Sequence, residues 1–359
     1  MTLREVFSSI ANAIRSKTGK TDTIKPVDMA TEIQSIQTGS GGNPMQEVVD
    51  NQEGDGKPST RYLFYNYKGT SLDNVLKSLD FSKVTDMNYM FYNCSNLTTI
   101  PLFDTSNVIK MGNMFYNCYK LTTIPLLNTS SVTYMNSMFY QCSSLTTIPQ
   151  LDTSKVTDMN SMFYQCSSLT TIPQLDTSKV TNMSAMFYQC RNFNNVFKLD
   201  TSNVTNMQSM FYCCNSLITI NGLDTSKVTN MSSMFYQCSS LTTIPQLDTS
   251  KVTDMNYMFY QCYELEKIDI TKLASTNYFA GECYSLKTLI IRTMDTIPTL
   301  NRNTFTNCYH FYGTTNSTYN PEGLKDGAIY VPDNKVEELK VATNWSVFAD
   351  IIKPLSTLV

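Results

Sequence analysis

The chain has 359 residues, with 27 basic and 30 acidic side chains, a net charge of −3 and one histidine. This balance, without Lys/Arg blocks, is not typical of nucleic-acid binding, and no apolar run reaches the roughly 18 residues of a transmembrane helix. We therefore expect neither nucleic acid nor membrane insertion. The polar residues near the start predict synthesis in a bacterial cytoplasm without a signal peptide.

The first 37 residues are predicted to form two short amphipathic helices. One spans residues 3–17 and stops at Gly19, and the other follows Pro26. Helices this short are unstable alone, so the apolar stripes predict that residues 1–37 pack against copies of themselves or a partner. A Gly-rich flexible linker follows at residues 38–45.

The string "IANAIRSKTGKTDTIKPVDMATEIQSI" in this segment is similar to the N-terminal element of tail-fibre and tail-tip proteins in phages of Gram-positive hosts. The resemblance implies a location in the virion tail and contacts with other tail proteins through residues 1–37. The apolar stripes, which otherwise have no partner, predict a homo-oligomer, with a trimer among the options.

A strict repeat occupies residues 79–312, between a predicted N-terminal cap at 46–78 and a C-terminal cap at 313–359. Met-Phe pairs begin at residues 90, 114, 138, 162, 186, 210, 234 and 258, so each interval is 24 residues. A unit of this size cannot bury its own apolar face, whereas stacked copies share one core. The period therefore predicts a solenoid.

Each repeat also predicts its own local structure. The letters "LTTI" favour a short strand that ends at a proline such as Pro149, and "VTDM" favours a second extended stretch. Between them, "DTS" predicts a corner in which Asp152 and its equivalents accept a backbone N–H from two residues on. Methionines recur at two positions of each repeat, in the series from Met87 to Met255 and from Met90 to Met258, and both series are expected in the core.

The repeat "CxxLTTIPxLDTSKVTxMxxMFYx" closely resembles the BspA-like class of leucine-rich repeat, found on bacterial surface proteins and in some phage proteins. The resemblance implies a right-handed solenoid with a parallel β-sheet. The end of the chain resembles the unit that closes such arrays, with a strand over 328–331, a helix from about Asn334, and Trp345 and Phe348 covering the last coil. Because no sorting motif follows, we expect that the chain is not a cell-wall protein.

Ten of the eleven cysteines share one column, which raises the alternatives of metal, disulfides or buried thiols. One cysteine per coil suits neither disulfide geometry nor a tetrahedral zinc set, so we expect buried structural thiols. Cys213 lies outside this column and is expected to be exposed.

The repeated aspartates and His310 are also expected to have structural roles. The Asp column could hold calcium, but Lys three residues after several of its members, such as Lys155 after Asp152, favours the corner role. His310 lies near Cys308 and could pair with it as base and nucleophile, although a lone histidine in a degenerate repeat is more often surface or packed. We therefore expect no enzyme activity, no cofactor and no metal.

Two sets of residues are the candidate ligand-binding sites. The first is a tyrosine column, Tyr92, Tyr116, Tyr140, Tyr164, Tyr188, Tyr212, Tyr236 and Tyr260, which has no exception and which Asn or Gln follows in seven coils. If these rings face outward they suit sugars; alternatively each ring half-buries on its neighbour. The second is the divergent coil from Cys190, with Arg191, Asn194, Asn195, Phe197 and Lys198 in place of consensus residues, which is either a specificity site or repeat drift.

Together these features predict a phage tail-fibre or tail-tip adhesin that recognises a host-surface glycan or protein through its repeats. Two alternatives stay open. One is a bacterial BspA-like surface or secreted adhesin that binds host protein, and the other is a structural spacer in the virion.

Overall fold

The computed structural model of the chain describes residues 11–12, 14–15, 53–54, 57–194, 199–313, 323 and 325–358. Contacts divide the chain into two compact units, Met1–Lys179 and Val180–Val359. Within the described ranges, no helix combines the length and apolar character needed to cross a membrane.

Most of the predicted N-terminal segment lies outside the described residues. Of the first predicted helix, residues 11–12 and 14–15 are described, and they are helical with Ala11 and Ile14 buried. The predicted second helix and the linker at 38–45 lie outside the described residues.

The first unit opens with small elements that lead into the repeats. Strands β1 (Glu53–Gly54) and β2 (Lys57–Pro58) pair antiparallel. Ser59 then bridges in parallel to Asp86, which starts the coil-to-coil pairing. A single-turn helix, α1 (Asp73–Lys77), buries Val75 and Leu76.

The Met-Phe-Tyr segment of each coil is a run of overlapping turns rather than a strand. The turns of one coil are closed by N–H···O bonds of 3.2, 3.1 and 3.2 Å, from Met90 to Met87, from Tyr92 to Tyr89 and from Cys94 to Phe91. Because each turn uses only every second N–H inside the coil, the alternate N–H groups are free to pair with the next coil.

Those alternate N–H groups join successive coils. Phe115 N–H donates to the Met138 carbonyl at 2.9 Å, and Asn117 N–H donates to the Tyr140 carbonyl at 2.8 Å. One N–H group near the start of the turn segment has no backbone partner and donates to a side chain instead. In one coil Asn160 N–H donates to Asp158 Oδ1 at 2.8 Å. The turn segment is therefore the main hydrogen-bonded seam of each unit.

Two positions in each turn segment adopt the left-handed backbone conformation without being glycine. In one coil these are Ser161, with φ 54°, and Gln165, with φ 56°. A left-handed L-residue costs about 1–2 kcal/mol. Repeated hydrogen bonding between coils and a continuous core offset this cost.

The apolar columns form the core, as the period predicts. Val132, Met135, Met138 and Phe139 each have 0 % exposure, and so do their equivalents in the neighbouring regular coils of the first unit. The phenylalanine rings lie parallel and offset along the core, with centroids 5.7 Å apart from Phe139 to Phe163. The core is thus a set of parallel ladders of identical side chains.

The predicted "DTS" corner is confirmed. Asp152 Oδ1 accepts Ser154 N–H at 3.0 Å and the Ser154 hydroxyl at 2.7 Å. The buried Thr153 hydroxyl donates to the Asp176 carbonyl of the next coil at 2.8 Å. The corner therefore combines a local turn with a bond between coils.

The predicted "LTTI" strand is wrong for the regular coils. There the stretch donates at most one backbone bond to the preceding coil, such as Thr122 N–H to the Thr98 carbonyl at 3.2 Å, and is not a strand. The proline after each "LTTI" donates no ladder hydrogen bond and stops the pairing after one residue. Asn221 replaces that proline in one coil, and there Thr219 does bridge to Thr243.

Regular strands appear in the second unit where the proline is absent. β3 (Lys267–Ile270), β4 (Thr288–Ile291), β5 (Ala328–Val331) and β6 (Ile352–Pro354) form a four-stranded parallel sheet in that order. The single-turn helix α2 (Tyr309–Tyr312) lies between β4 and β5.

The strand and the helix predicted near the end of the chain are present in the structure. After β5 come a 3-10 turn at Asp333–Lys335, helix α3 (Val336–Val341) and two further 3-10 turns, Ser346–Phe348 and Leu355–Thr357. Trp345 is fully buried, and its indole N–H donates to the Pro298 carbonyl at 2.8 Å. The cap therefore closes the apolar core of the second unit. Each unit is thus a solenoid of stacked coils that pair in parallel.

Candidate functional site

The tyrosine column of the first unit is a face-to-face stack. Ring centroids are 4.6 Å apart from Tyr92 to Tyr116, 4.2 Å from Tyr116 to Tyr140 and 4.3 Å from Tyr140 to Tyr164, with planes within 10° of parallel. All four side chains are half-buried. The faces of the inner rings are thus covered by neighbouring rings, and the column presents ring edges and hydroxyls to solvent.

The second unit repeats this arrangement with its own four tyrosines. Tyr188, Tyr212 and Tyr236 stack at 4.4 Å, and Tyr260 tilts by 33° from Tyr236 at 5.2 Å. The tilt accompanies an acidic partner, since the Tyr260 hydroxyl donates to Glu282 at 2.8 Å. Each unit therefore places its own four predicted site tyrosines in a row with their edges half-exposed.

Amide side chains run beside the rings. Gln141 Nε2 donates to Gln165 Oε1 of the next coil in the first unit, and Gln261 Nε2 donates to Glu282 at 2.9 Å in the second. The amides are held by the left-handed backbone that ends each turn segment, with φ 57° at Gln141. A ligand at this surface would meet phenol hydroxyls and amides, which are neutral hydrogen-bonding groups.

Packing in the row raises the pKa of at least one phenol in each unit. Burial, with the adjacent phenols of Tyr116 and Tyr164, raises the pKa of Tyr140 well above its usual value. Burial and the neighbouring tyrosines likewise raise the pKa of Tyr212. The phenols of Tyr140 and Tyr212 therefore stay neutral through the physiological pH range.

The divergent coil is only partly within the described residues. Arg191 and Asn194 are exposed, and Phe193 fills the core position with 0 % exposure. Asn195, Phe197 and Lys198 lie outside the described residues. The role of this coil in binding stays a prediction.

The expected exposure of Cys213 is wrong. Its side chain is 6 % exposed, and its thiol donates to Gln237 Oε1 at 2.9 Å. Cys213 follows Tyr212 in the amide position, so it stands in for a glutamine in that row. Burial raises the pKa of the Cys213 thiol to about 11.

The column cysteines are buried free thiols, as expected. Cys142 Sγ–H donates to the Phe115 carbonyl at 3.1 Å, and the same carbonyl accepts Cys118 N–H at 3.1 Å. Each thiol thus completes the hydrogen bonding of a buried carbonyl in the preceding coil. Within the described ranges, no group of three or more His, Cys, Asp or Glu residues could hold a metal ion.

The histidine is packed rather than paired with Cys308. His310 is 7 % exposed, and its Nδ1 lies 2.6 Å from Asp326 Oδ1. The Cys308 thiol instead donates to the Ala280 carbonyl at 3.0 Å. The contact between His310 and Asp326 ties α2 to the segment before β5.

Sequence reasoning missed a second set of tyrosines beside the column. In the first unit Tyr62 and Tyr89 stack at 4.8 Å, with the Arg61 guanidinium 5.7 and 5.8 Å from their ring centres. In the second unit Tyr257 and Tyr278 stack at 5.2 Å. The signal was available, because Tyr89 and Tyr257 occupy a position that is Asn, Ser or Ala in the coils between them.

Comparisons with known proteins agree with a repeat architecture. The family described as "Mycoplasma protein of unknown function, DUF285" matches residues 59–171, 146–219 and 214–279. No curated protein gives a significant match.

Two solved structures are similar to the chain over part of its length. The leucine-rich repeat protein of T. pallidum is 19% identical, with 58% of this chain and 81% of that chain covered and a TM-score of 0.34. A chain of a TLR13–ssRNA13 complex is 11% identical, with 80% of this chain covered and a TM-score of 0.24. This chain spans about half of that second protein, 52% of its length.

Proposed function

Because the chain belongs to the family described as "Mycoplasma protein of unknown function, DUF285" and its 24-residue repeats resemble the BspA-like class, we propose that it is a non-enzymatic adhesin. Its partner is a glycan or protein on a bacterial cell surface, contacted through the outward edge of the repeats. The role is recognition, and no cofactor takes part.

The observation that carries this proposal is the row of tyrosine edges and amides in each unit. The stacked rings, such as Tyr116 and Tyr140 at 4.2 Å, fix the positions of their hydroxyls from coil to coil. The amides beside them are fixed in turn by bonds such as that of Gln141 to Gln165. Rigid aromatic and amide groups bind with little loss of side-chain entropy, and tyrosine is enriched at recognition surfaces.

The finer proposal is that the adhesin belongs to a phage tail, as a fibre or tip protein. Support comes from the similarity of the Ile10–Ile36 sequence to the N-terminal element of such proteins. Residues 1–37 would attach the chain to other tail proteins and to further copies of itself, giving a homo-oligomer. The chain would be made in the host cytoplasm and carried in the virion.

A second candidate is a bacterial surface adhesin that binds host protein. The description of the matching family as a Mycoplasma protein favours it. Gold-labelled antibody against the chain separates the two candidates in electron microscopy. Label on the tails of intact phage particles supports the virion role, and label on uninfected producer cells supports the bacterial role.

The recognition role itself is tested by binding of the fluorescent full-length chain to a panel of Gram-positive cells. We expect saturable binding that excess unlabelled chain displaces. Absence of saturable binding across the panel, for a chain shown to be folded, contradicts the adhesin role. The divergent coil is tested in the same assay with Arg191→Ser and Asn194→Thr, which restore the consensus letters.

A further inference from the structure

A change of repeat length opens a cavity in the second unit. The interval from Cys262 to Cys283 is 21 residues instead of 24, and the next interval, to Cys308, is 25. The missing residues belong to the corner. There the Thr249 hydroxyl donates to the Lys272 carbonyl at 2.5 Å, while Met255 N–H already reaches the Ser275 hydroxyl at 2.6 Å.

The shortened corner leaves the valine column without its next member. The valines of the regular coils have 0 % exposure, whereas Val252 is 3 % exposed and lines a pocket of about 330 Å³. Val252, Leu273, Ile291 and Met294 line its floor, and all four are buried, with exposures between 0 and 8 %. The floor is therefore an aliphatic surface continuous with the core.

The mouth of the pocket is polar and open. Its exposed lining residues are Thr253, Lys272, Thr293, Asp295 and Thr296. In the part of the chain that the structure describes, neither Lys272 nor Asp295 forms a salt bridge. The cavity thus combines an apolar base with one positive and one negative charge at its entrance.

The neighbouring Arg292 is already neutralised. Its guanidinium makes two bonds of 2.8 Å to the two carboxylate oxygens of Asp269 on β3. A bidentate pair of this kind holds both groups in place. Lys272 and Asp295 are therefore the charges of the rim that are available to a partner.

We propose that this pocket anchors an aliphatic side chain of a partner polypeptide, flanked in that partner by an acidic residue for Lys272 and a basic residue for Asp295. An apolar pocket with a polar rim is typical of a binding hot spot. A small free ligand is usually enclosed over most of its surface, whereas this pocket has five exposed residues around its mouth. The inference rests on the proposed binding role and locates one anchor point for a protein partner.

The test uses methyl NMR spectra of the full chain, with acetyl-Glu-Leu-Lys-amide as the probe. We expect saturable shifts of the Leu273, Ile291 and Met294 methyl groups. The matched peptide with Ala in place of Leu should bind about tenfold more weakly, because it lacks most of the apolar group. Thr296→Trp, which fills the mouth, should abolish the shifts, and Thr299→Trp, an exposed position outside the pocket, should not.

Three results would overturn the inference. The first is chemical shifts that do not saturate, and the second is equal binding of the Leu and Ala peptides. The third is tighter binding of free leucine than of the capped peptide, which would point to a free amino acid as the ligand. The cell-binding assay reports separately on the adhesin role. Failure of the peptide to bind while the chain still binds cells removes this anchor alone.

Discussion

Replacing one ring of the stacked tyrosines tests whether the row stabilises the solenoid. In Tyr140→Leu the apolar contact is largely kept, but two stacked pairs are lost, those to Tyr116 at 4.2 Å and to Tyr164 at 4.3 Å. Each aromatic pair contributes about 0.5–1.5 kcal/mol beyond its area burial, so the free energy of unfolding should fall by about 1–3 kcal/mol.

Urea unfolding followed by circular dichroism measures this change. Tyr140→Phe is the matched control because it keeps both stacked pairs, and its free energy of unfolding should stay within about 0.5 kcal/mol of the parent. Equal stability of the Leu and Phe variants would refute the idea that ring stacking, rather than apolar burial alone, holds the row.

The remaining predictions concern titration and thiol chemistry. Hydrogen bonds from Ser154 lower the pKa of Asp152, so its contribution to stability is present above the ordinary value of about 3.9 and is lost as the pH falls below it. Asp152→Asn should keep the corner, as Asn128 does, and should reduce the acid sensitivity measured by thermal unfolding against pH. Burial raises the pKa of Tyr140, so its ionisation should destabilise the fold only above about pH 10, in a titration of the 295 nm absorbance. All eleven cysteines are buried, so iodoacetamide at pH 8 should label the unfolded chain and spare the folded one, as mass spectrometry would show. Reductant and chelator should leave the melting temperature unchanged; a large drop with either would contradict the buried-thiol core.

The core could be predicted because its signal is a period. Met138, Phe139, Cys142 and Leu145 recur at fixed intervals, and a side chain that recurs in every coil must either share the core or share one surface. The Asp corner was predictable for a similar reason, since its hydrogen bond is local to three residues. The aromatic row was also visible, although the sequence could not decide between open and stacked ring faces.

The turns of the Met-Phe-Tyr segment could not be predicted, because the residue types found there are not typical of turns. Ser161 and Gln165 adopt positive φ angles where a glycine would signal them. Only the bonds to the next coil select this conformation, and those bonds depend on the stacked structure. The expected exposure of Cys213 was wrong for a related reason, since its amide-row position is buried by the neighbouring coil.

The proline that follows "LTTI" explains why the strands predicted in the regular coils do not form. The letters "LTTI" have β-favouring residues in each coil, but Pro149 and its equivalents end the ladder after one bond. Where the sequence reads "KIDI" or "TLII" without proline, β3 and β4 form. Residue propensity alone therefore overestimated the amount of β-strand in the regular coils.

Cell binding by a variant that changes only the outward edge of the row tests the central claim most directly. Tyr116→Phe, Tyr140→Phe and Tyr164→Phe together keep every stacked ring and remove three hydroxyls from the first unit. Thr123→Ala with Thr147→Ala, at exposed positions outside the row, is the control. The account predicts that the fluorescent triple variant loses most of its saturable binding to host cells while the control keeps it. Undiminished binding by the triple variant would contradict recognition through the tyrosine row.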